Sequence, residues 1–231
     1  VELSIAPLPE GYGYCDVAVL SGEEEAILEL RATRHVMKDP KVGMLSGGGK
    51  SMQIGFGNIG ESTGVSIALD SLDVGPALMN AQGYDMGARM WEWRSRQATA
   101  NALMGKKLDG HFIGIEMCAW IFKVAGVPTT VAQDGAAGGA TCSWTRDEII
   151  GHLGTFIENV TRKETGKPID RDLVLKVLYA TQLRSVLTVG FSKNSTFSYF
   201  EGLPLEPDWT LGMFLAHLQR KRKRENAAPL R

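Results

Sequence analysis

Two glycine-rich stretches contain the residues best suited to binding an anion. In the first, three glycines stand between Ser46 and Lys50, and in the second, glycines follow Gln133 and Asp134. Consecutive glycines let backbone N–H groups point into one concavity, and a neighbouring lysine adds positive charge. We therefore predict that the chain binds a phosphate or a carboxylate. The predicted anion-binding residues are Ser46, Gly47, Gly48, Gly49, Ser51, Gly135, Gly138 and Gly139.

Three charged residues near these glycines are candidates for catalysis. Asp134 directly precedes the second glycine-rich stretch, Glu116 follows a short apolar run, and Lys50 belongs to the first stretch. A carboxylate beside exposed N–H groups and a lysine suits proton transfer next to a stabilised oxyanion. We predict Asp134 or Glu116 as the general acid or base. The alternatives are an Asx turn for Asp134 and a favourable charge at a helix start for Glu116.

Two nucleotide-binding motifs are present only in part. A P-loop that ended in Gly49, Lys50 and Ser51 would need a glycine at position 44, which is Met44. Residues 55–60 have the G-x-G-x-x-G spacing that resembles the dinucleotide-binding fingerprint. That fingerprint opens a helix, whereas the residues that follow here alternate like a strand. An ordinary glycine-rich turn is the alternative in both cases, and the sequence assigns no cofactor.

The three cysteines are too far apart to predict a disulfide framework or a zinc site. Cys118 lies in an apolar run, which favours a buried small residue over a nucleophile. Cys142 precedes a predicted helix start, a setting that lowers the pKa of a thiol, so it is the better nucleophile candidate. Neither cysteines nor histidines have the spacing of metal ligands. An odd number of cysteines fits a reducing, cytoplasmic setting best.

The composition of the 231 residues is that of an ordinary globular protein, with 44% hydrophobic and 22% charged residues. A net charge of −1 argues against a surface devoted to nucleic acid or anionic lipid. Two stretches could still bind nucleic acid. The first is the basic residues 220–224, for which a solvated helix end is the alternative. The second is the pair Trp91 and Trp93 among arginines, for which an amphipathic surface helix is the alternative. An uninterrupted apolar run of about 18 residues is lacking, so we predict no membrane span.

Short apolar strands must position the glycine-rich stretches. We predict strands at residues 16–20, 41–45, 112–115 and 128–132, with helices between them. A strand, a helix and a second strand in about 30 residues form a unit in which the two strands are parallel. The carboxyl ends of such strands meet at one edge, where ligands bind. The sequence thus predicts an α/β fold with a mostly parallel, open Rossmann-like sheet between helices.

Several helices are predicted from capping residues and apolar periodicity. Capping boxes at Ser21 and Glu24 and at Thr145 and Glu148 start two helices, and Asp170 starts a third that ends near residue 185. We predict a last strand at residues 186–191 and a final helix capped by Asp208. The predicted inward side chains of this final helix are Leu211, Phe214, Leu215 and Leu218. A further helix is predicted at residues 84–107, with inward side chains Met86, Met90, Trp93, Leu103 and Met104.

These elements predict an α/β domain at residues 1–168 and a helical extension at residues 169–231 that packs on it. The leading functional hypothesis is an enzyme that acts on a small anionic or phosphate-bearing metabolite. The alternative is a non-catalytic subunit or metabolite-binding module of a larger assembly. In either case we expect a homo-oligomer or a partner subunit.

Overall fold

A mixed sheet forms the centre of the protein. The computed structural model describes residues 20–48, 51–58, 61–68, 74–129, 143–164, 170–201 and 207–227, and within them the sheet has six strands. The strands are β1 (Gly43–Gly47), β2 (Ser51–Phe56), β3 (Thr63–Ala68), β4 (His111–Gly114), β5 (Trp144–Thr145) and β6 (Thr196–Ser198). Their order is β3-β2-β1-β4-β6-β5.

The strand directions confirm the α/β class and refine the sheet. β4 runs parallel to both β1 and β6, so the predicted strands at residues 41–45 and 112–115 are parallel neighbours. The pairs β1–β2, β2–β3 and β5–β6 are antiparallel. The sheet is therefore mixed and not mostly parallel, because β1, β2 and β3 follow one another in the chain as antiparallel neighbours. The G-x-G-x-x-G stretch thus connects two antiparallel strands and opens no helix.

One face of the sheet is covered by the first helix. The helices are α1 (Gly22–Met37), α2 (Val74–Ala102), α3 (Glu116–Val124), α4 (Arg146–Glu164), α5 (Arg171–Gly190) and α6 (Trp209–Ala227). The predicted capping box starts α1, since the Ser21 N–H donates to Glu24 Oε2 (2.9 Å) and the Glu24 N–H to Ser21 Oγ (3.2 Å). Ala26, Leu30 and Met37 of α1 pack on the sheet, and α6 packs beside α1.

The other face is covered by α2, α3, α4 and α5, with α5 at the centre. This helix is buried along most of its length, and it packs against α2, α4 and α3. By length and composition α5 is apolar enough to cross a membrane, although 67% of that segment is buried inside the fold. Its apolar character is therefore accounted for by its place in the core.

The predicted inward face of the helix at residues 84–107 is confirmed for Leu103, which is buried, and is wrong for three other residues. Trp93 is 64% exposed, and Met86 and Met104 are exposed as well. The buried stripe of α2 contains Ala88, Trp91, Ser95 and Thr99. The small hydroxyl residues lie inward because α5 approaches closely: a Cβ added to Gly190 would lie 2.7 Å from Leu103 and 3.5 Å from Thr99.

Two further predictions on the late helices need correction. Of the strand predicted at residues 186–191, residues 186–190 continue α5, where Val186 and Leu187 are fully buried, and Phe191 forms an isolated parallel bridge with Leu108. In α6, Phe214 is 58% exposed and does not share an inward face with its neighbours. The helix starts themselves are confirmed, since Asp170 accepts from the Asp172 N–H (2.9 Å) and Asp208 from the Leu211 N–H (2.8 Å).

The helix predicted from Thr145 and Glu148 has the expected cap and core face. The Thr145 N–H donates to Glu148 Oε2 (2.8 Å), and the Glu148 N–H donates to Thr145 Oγ1 (3.3 Å). Ile149, Leu153 and Ile157 of α4 are buried. The predicted strands at residues 16–20 and 128–132 fall mainly outside the described residues, as does the second glycine-rich stretch; Pro128 and Thr129 are described and are not in a strand.

The close contact of α1 with β3 predicts a strong effect of a single methyl group. A Cβ at Gly64 would lie 2.1 Å from the carbonyl oxygen of Glu23 and 3.0 Å from Ala26 Cβ. Gly64→Ala should therefore destabilise the fold by about 1–3 kcal/mol, the usual cost of overpacking. Gly151→Ala is the matched control, because that helical position has open space, and it should be neutral or stabilise by up to about 1 kcal/mol. Urea unfolding of both variants measures the difference, and equal effects would contradict the packing described here.

Candidate active site

A row of polar side chains crosses the sheet where β1 ends. Ser46 of β1 lies opposite Gln53 of β2, and Gln53 lies opposite Ser66 of β3. Ser46 and Gln53 are buried, which is unusual for polar residues without a specific role. Helix α1 covers this row with Glu25 and Glu29, which are one helical turn apart on the same face.

The Gln53 amide connects α1 to the turn between β1 and β2. Its Nε2 donates to Glu25 Oε2 (2.9 Å) and to Ser51 Oγ (2.7 Å). Glu25 is half-buried, so this hydrogen bond fixes a carboxylate that a ligand is still able to reach. Gln53 thus holds the Glu25 carboxylate near Ser51, the last residue of the first glycine-rich stretch.

The Ser46 hydroxyl holds a second carboxylate at the same edge. It donates to Glu116 Oε2 (2.9 Å), and Glu116 is the exposed first residue of α3. The chain reaches this point directly from β4, because the Ile115 N–H donates to the Leu45 carbonyl of β1 (3.0 Å). Glu116 has a φ of 51°, a left-handed conformation that costs a non-glycine residue about 1 kcal/mol or more. This strained backbone directs the carboxylate toward Ser46.

Glu29 is the buried member of the group. It is 1% exposed, and its Oε2 has no hydrogen-bond partner in the described part of the chain. Burial, and then the charges of Glu116 and Glu25, raise the pKa of Glu29 to about 8. Glu29 is therefore mainly protonated and neutral at pH 7.

The first glycine-rich stretch forms the tip of the β1–β2 hairpin. The Gly48 N–H donates to the Ser51 carbonyl (2.9 Å), so this N–H belongs to the turn. A Cβ at Gly47 would touch Cys118 Sγ and Met117 Cβ at 3.4 Å, which places Gly47 against α3. Gly49 and Lys50, the two residues between Gly48 and Ser51, lie outside the described residues. The N–H of Gly48 is therefore already paired within the turn.

The structure brings five of the predicted site residues to one edge. These are Ser46, Gly47, Gly48, Ser51 and Glu116. The others lie outside the described residues, so their roles stay predictions: Gly49, Lys50, Asp134, Gly135, Gly138 and Gly139. In the described part of the chain, groups of three or more His, Cys, Asp or Glu side chains that could hold a metal ion are absent.

Sequence analysis missed Glu25, Glu29 and Gln53. The available signal was the helical periodicity of α1, because Glu25 and Glu29 adjoin the inward residues Ala26 and Leu30.

The prediction that Cys118 is a buried residue is confirmed. Burial, and then the charge of Glu116, raise the pKa of its thiol well above the usual range. Cys142 lies outside the described residues.

This sheet order with its flanking helices defines an α/β protein with a polar edge at the end of β1. No protein-family model and no curated protein sequence matches the chain. Solved structures share its fold. They include the Ppx/GppA family member from Aquifex aeolicus (TM-score 0.54, 14% identity, 86% of this chain), an exopolyphosphatase-like protein (0.53, 14%, 87%) and an exopolyphosphatase from Cytophaga hutchinsonii (0.50, 13%, 86%).

The chain is shorter than these proteins. It spans 63% of the A. aeolicus and C. hutchinsonii chains and 68% of the exopolyphosphatase-like chain. At 13–14% identity the similarity establishes the fold alone.

Proposed function

We propose that this protein is an enzyme that hydrolyses a small phosphate-bearing compound at the edge formed by the ends of β1 and β4. The observation that carries the proposal is the pair of hydrogen-bonded carboxylates beside the β1–β2 turn: Glu25, held by Gln53, and Glu116, held by Ser46. Solved structures with this fold are named exopolyphosphatases, which supports phosphate chemistry at the edge.

Two carboxylates match the needs of an attacking water molecule. Glu25 accepts one proton as the water oxygen bonds to phosphorus, and Glu116 accepts a hydrogen bond from the second O–H and so orients the lone pair. The bond between phosphorus and the leaving oxygen breaks, and its electron pair stays with that oxygen. Positioning and electrostatic stabilisation are the main contributions that a protein makes to phosphoryl transfer, and a carboxylate that orients the attacking water belongs to the first.

Carboxylates repel a phosphate, so the site also needs positive charge. Lys50 is the residue that the sequence supplies for this purpose, because it directly precedes Ser51 in the first glycine-rich stretch. A charge-assisted hydrogen bond contributes about 1.5–3 kcal/mol, so Lys50→Ala should raise KM by about 10- to 100-fold. Lys50→Arg should recover part of the loss. An unchanged KM in steady-state kinetics would remove Lys50 from the site.

Phosphate release tests the proposal directly. Purified protein is incubated with inorganic polyphosphate, ATP and p-nitrophenyl phosphate, and liberated phosphate is measured. We expect release from at least one of them, and its loss in Glu25→Gln. Equal release by the wild type and by Glu25→Gln, or none from any of the three, would contradict the proposal.

Exposed apolar side chains favour a second candidate, the partner-binding module. Trp93 and Met86 of α2 and Met213 and Phe214 of α6 are exposed, although large apolar side chains are usually buried. If they form a partner interface, Trp93→Glu should change the assembly mass in analytical ultracentrifugation. An unchanged mass would leave these residues without that role.

A further inference from the structure

A cavity that the proposed hydrolysis does not use lies between the end of β3 and α2. Its volume is about 270 Å³, and its described lining consists of Ala68 of β3 and residues of α2. Glu25 and Glu116 are not part of that lining, so the cavity is separate from the two carboxylates. Pockets for drug-sized molecules usually measure about 300–1,000 Å³, so this one suits a ligand of one or two rings.

Two tryptophans form opposite sides of the cavity. Trp91 is 1% exposed and belongs to the buried side, whereas Trp93 is 64% exposed and lies at the rim. An exposed indole offers a flat face on which a planar ring stacks, and every nucleobase has such a ring. The lining therefore favours a planar aromatic ligand over an aliphatic one.

Two amide side chains continue the wall that Trp93 begins. Gln97 and Asn101 line the cavity and are exposed, and they follow Trp93 at intervals of four residues, so the three side chains lie along one face of α2. Each amide carries a donor and an acceptor side by side. Adenine presents the matching pair, a donor at N6 and an acceptor at N7, and it is the base that Asn and Gln bind with two hydrogen bonds.

The charge of the lining also selects among planar ligands. Arg94 is the one charged residue among the described residues that line the cavity. A cationic ring would meet like charge there, whereas a neutral base, alone or with an anionic phosphate, would not. The lining therefore disfavours a quaternary ammonium or other cationic ligand, although the exposed face of Trp93 alone would suit one.

We propose that the cavity between β3 and α2 binds the adenine base of a free nucleoside or nucleotide, stacked on Trp93 and held at its N6 and N7 edge by Gln97 or Asn101. The inference goes beyond the proposed hydrolysis and does not depend on it. Adenosine, which has no phosphate, is therefore the probe, since the edge at Glu25 and Glu116 contributes nothing to its binding.

Calorimetric titration of the purified protein with adenosine tests the proposal. Wild type should bind at one site, and Trp93→Ala should raise Kd by about 5- to 150-fold through the loss of stacking. Gln97→Ala and Asn101→Ala test the two amides, and at least one should raise Kd by about 2- to 10-fold. Met86→Ala is the control, because Met86 is exposed on the same helix and is not among the described lining residues, and it should leave Kd unchanged. No binding at millimolar adenosine, or equal Kd values for wild type and Trp93→Ala, would overturn the inference.

Related ligands test which base is recognised and where it comes from. Inosine has an acceptor in place of the N6 donor, so it should bind more weakly than adenosine, and equal affinity would overturn the assignment of adenine. AMP and a six-nucleotide oligoadenylate should bind with similar affinity per adenine, because the cavity holds one base. Binding of the strand a hundredfold tighter than AMP would overturn the free nucleotide as the ligand. If adenosine binds but no phosphate is released from any substrate, the proposed hydrolysis fails and the adenine site stands.

Discussion

Glu25→Gln should lower kcat/KM for phosphate release by about 10²- to 10⁴-fold, the usual contribution of a general base. The amide retains the size of the side chain and its contact with Gln53, but it cannot accept a proton from water. Because Glu25 is half-buried and fixed by one hydrogen bond, the substitution should change kcat far more than KM. Steady-state kinetics with the best substrate from the phosphate-release panel measures both constants.

The matched control is Glu23→Gln, two residues earlier on the same helix. Glu23 is exposed in the first turn of α1, and the substitution makes the same charge change without touching the polar row. Its kcat/KM should stay close to that of the wild type. If the two substitutions lower activity equally, the effect comes from the charge of the helix and not from a base at position 25.

Glu29→Gln should change the free energy of unfolding more than Gly64→Ala does, and it should do so only at pH values above about 4.5. The pKa of Glu29 is about 8 in the folded protein, raised first by burial, against 4.5 for an ordinary glutamate. Well below pH 4.5 both states hold the proton, so ionisation makes no difference to stability there. Between these values the unfolded chain ionises while the folded one does not, so wild-type stability falls as pH rises and levels off above about pH 8. The full difference corresponds to about 5 kcal/mol, of which Glu29→Gln should recover a large part.

Urea unfolding of the wild type and Glu29→Gln across this pH range measures that difference. The stabilisation should be near zero in acid and should grow with pH until the folded pKa is passed. Glu158→Gln on the exposed surface of α4 serves as the control and should show little pH-dependent change. A constant difference between wild type and Glu29→Gln at every pH would mean that Glu29 has the same pKa in the folded and the unfolded state, which would contradict the raised pKa.

Features with a local cause were predictable from the sequence. The helix starts at Ser21, Thr145 and Asp170 were predicted because a capping side chain and its backbone partner are at most three residues apart. Short apolar runs separated by helical segments predicted parallel strands, but the neighbouring of β1 and β4 depended on a strand order that the sequence left open. The placement of Ser46 and Glu116 at one edge followed from that pairing.

Features with a distant cause were not predictable. The face that α2 buries is set by the close approach of α5, and the sequence of α2 alone favoured its larger side chains over Ser95 and Thr99. Glu29 was missed because a buried, unpaired glutamate contradicts the general preference of this residue for the surface. Gln53 became a site residue only through the β1–β2 hairpin, which places it opposite Ser46.

An NMR titration with inorganic phosphate tests the central claim most directly, because phosphate is a product of the proposed reaction and must fit the site. Backbone amide shifts of the whole protein are recorded as phosphate is added to millimolar concentration. The proposed site predicts shifts confined to the β1–β2 turn, the start of α3 at Glu116, and Glu25 of α1, with loss of these shifts in Lys50→Ala. Shifts that cluster elsewhere, or a spectrum that phosphate leaves unchanged, would contradict a phosphate site at this edge of the sheet.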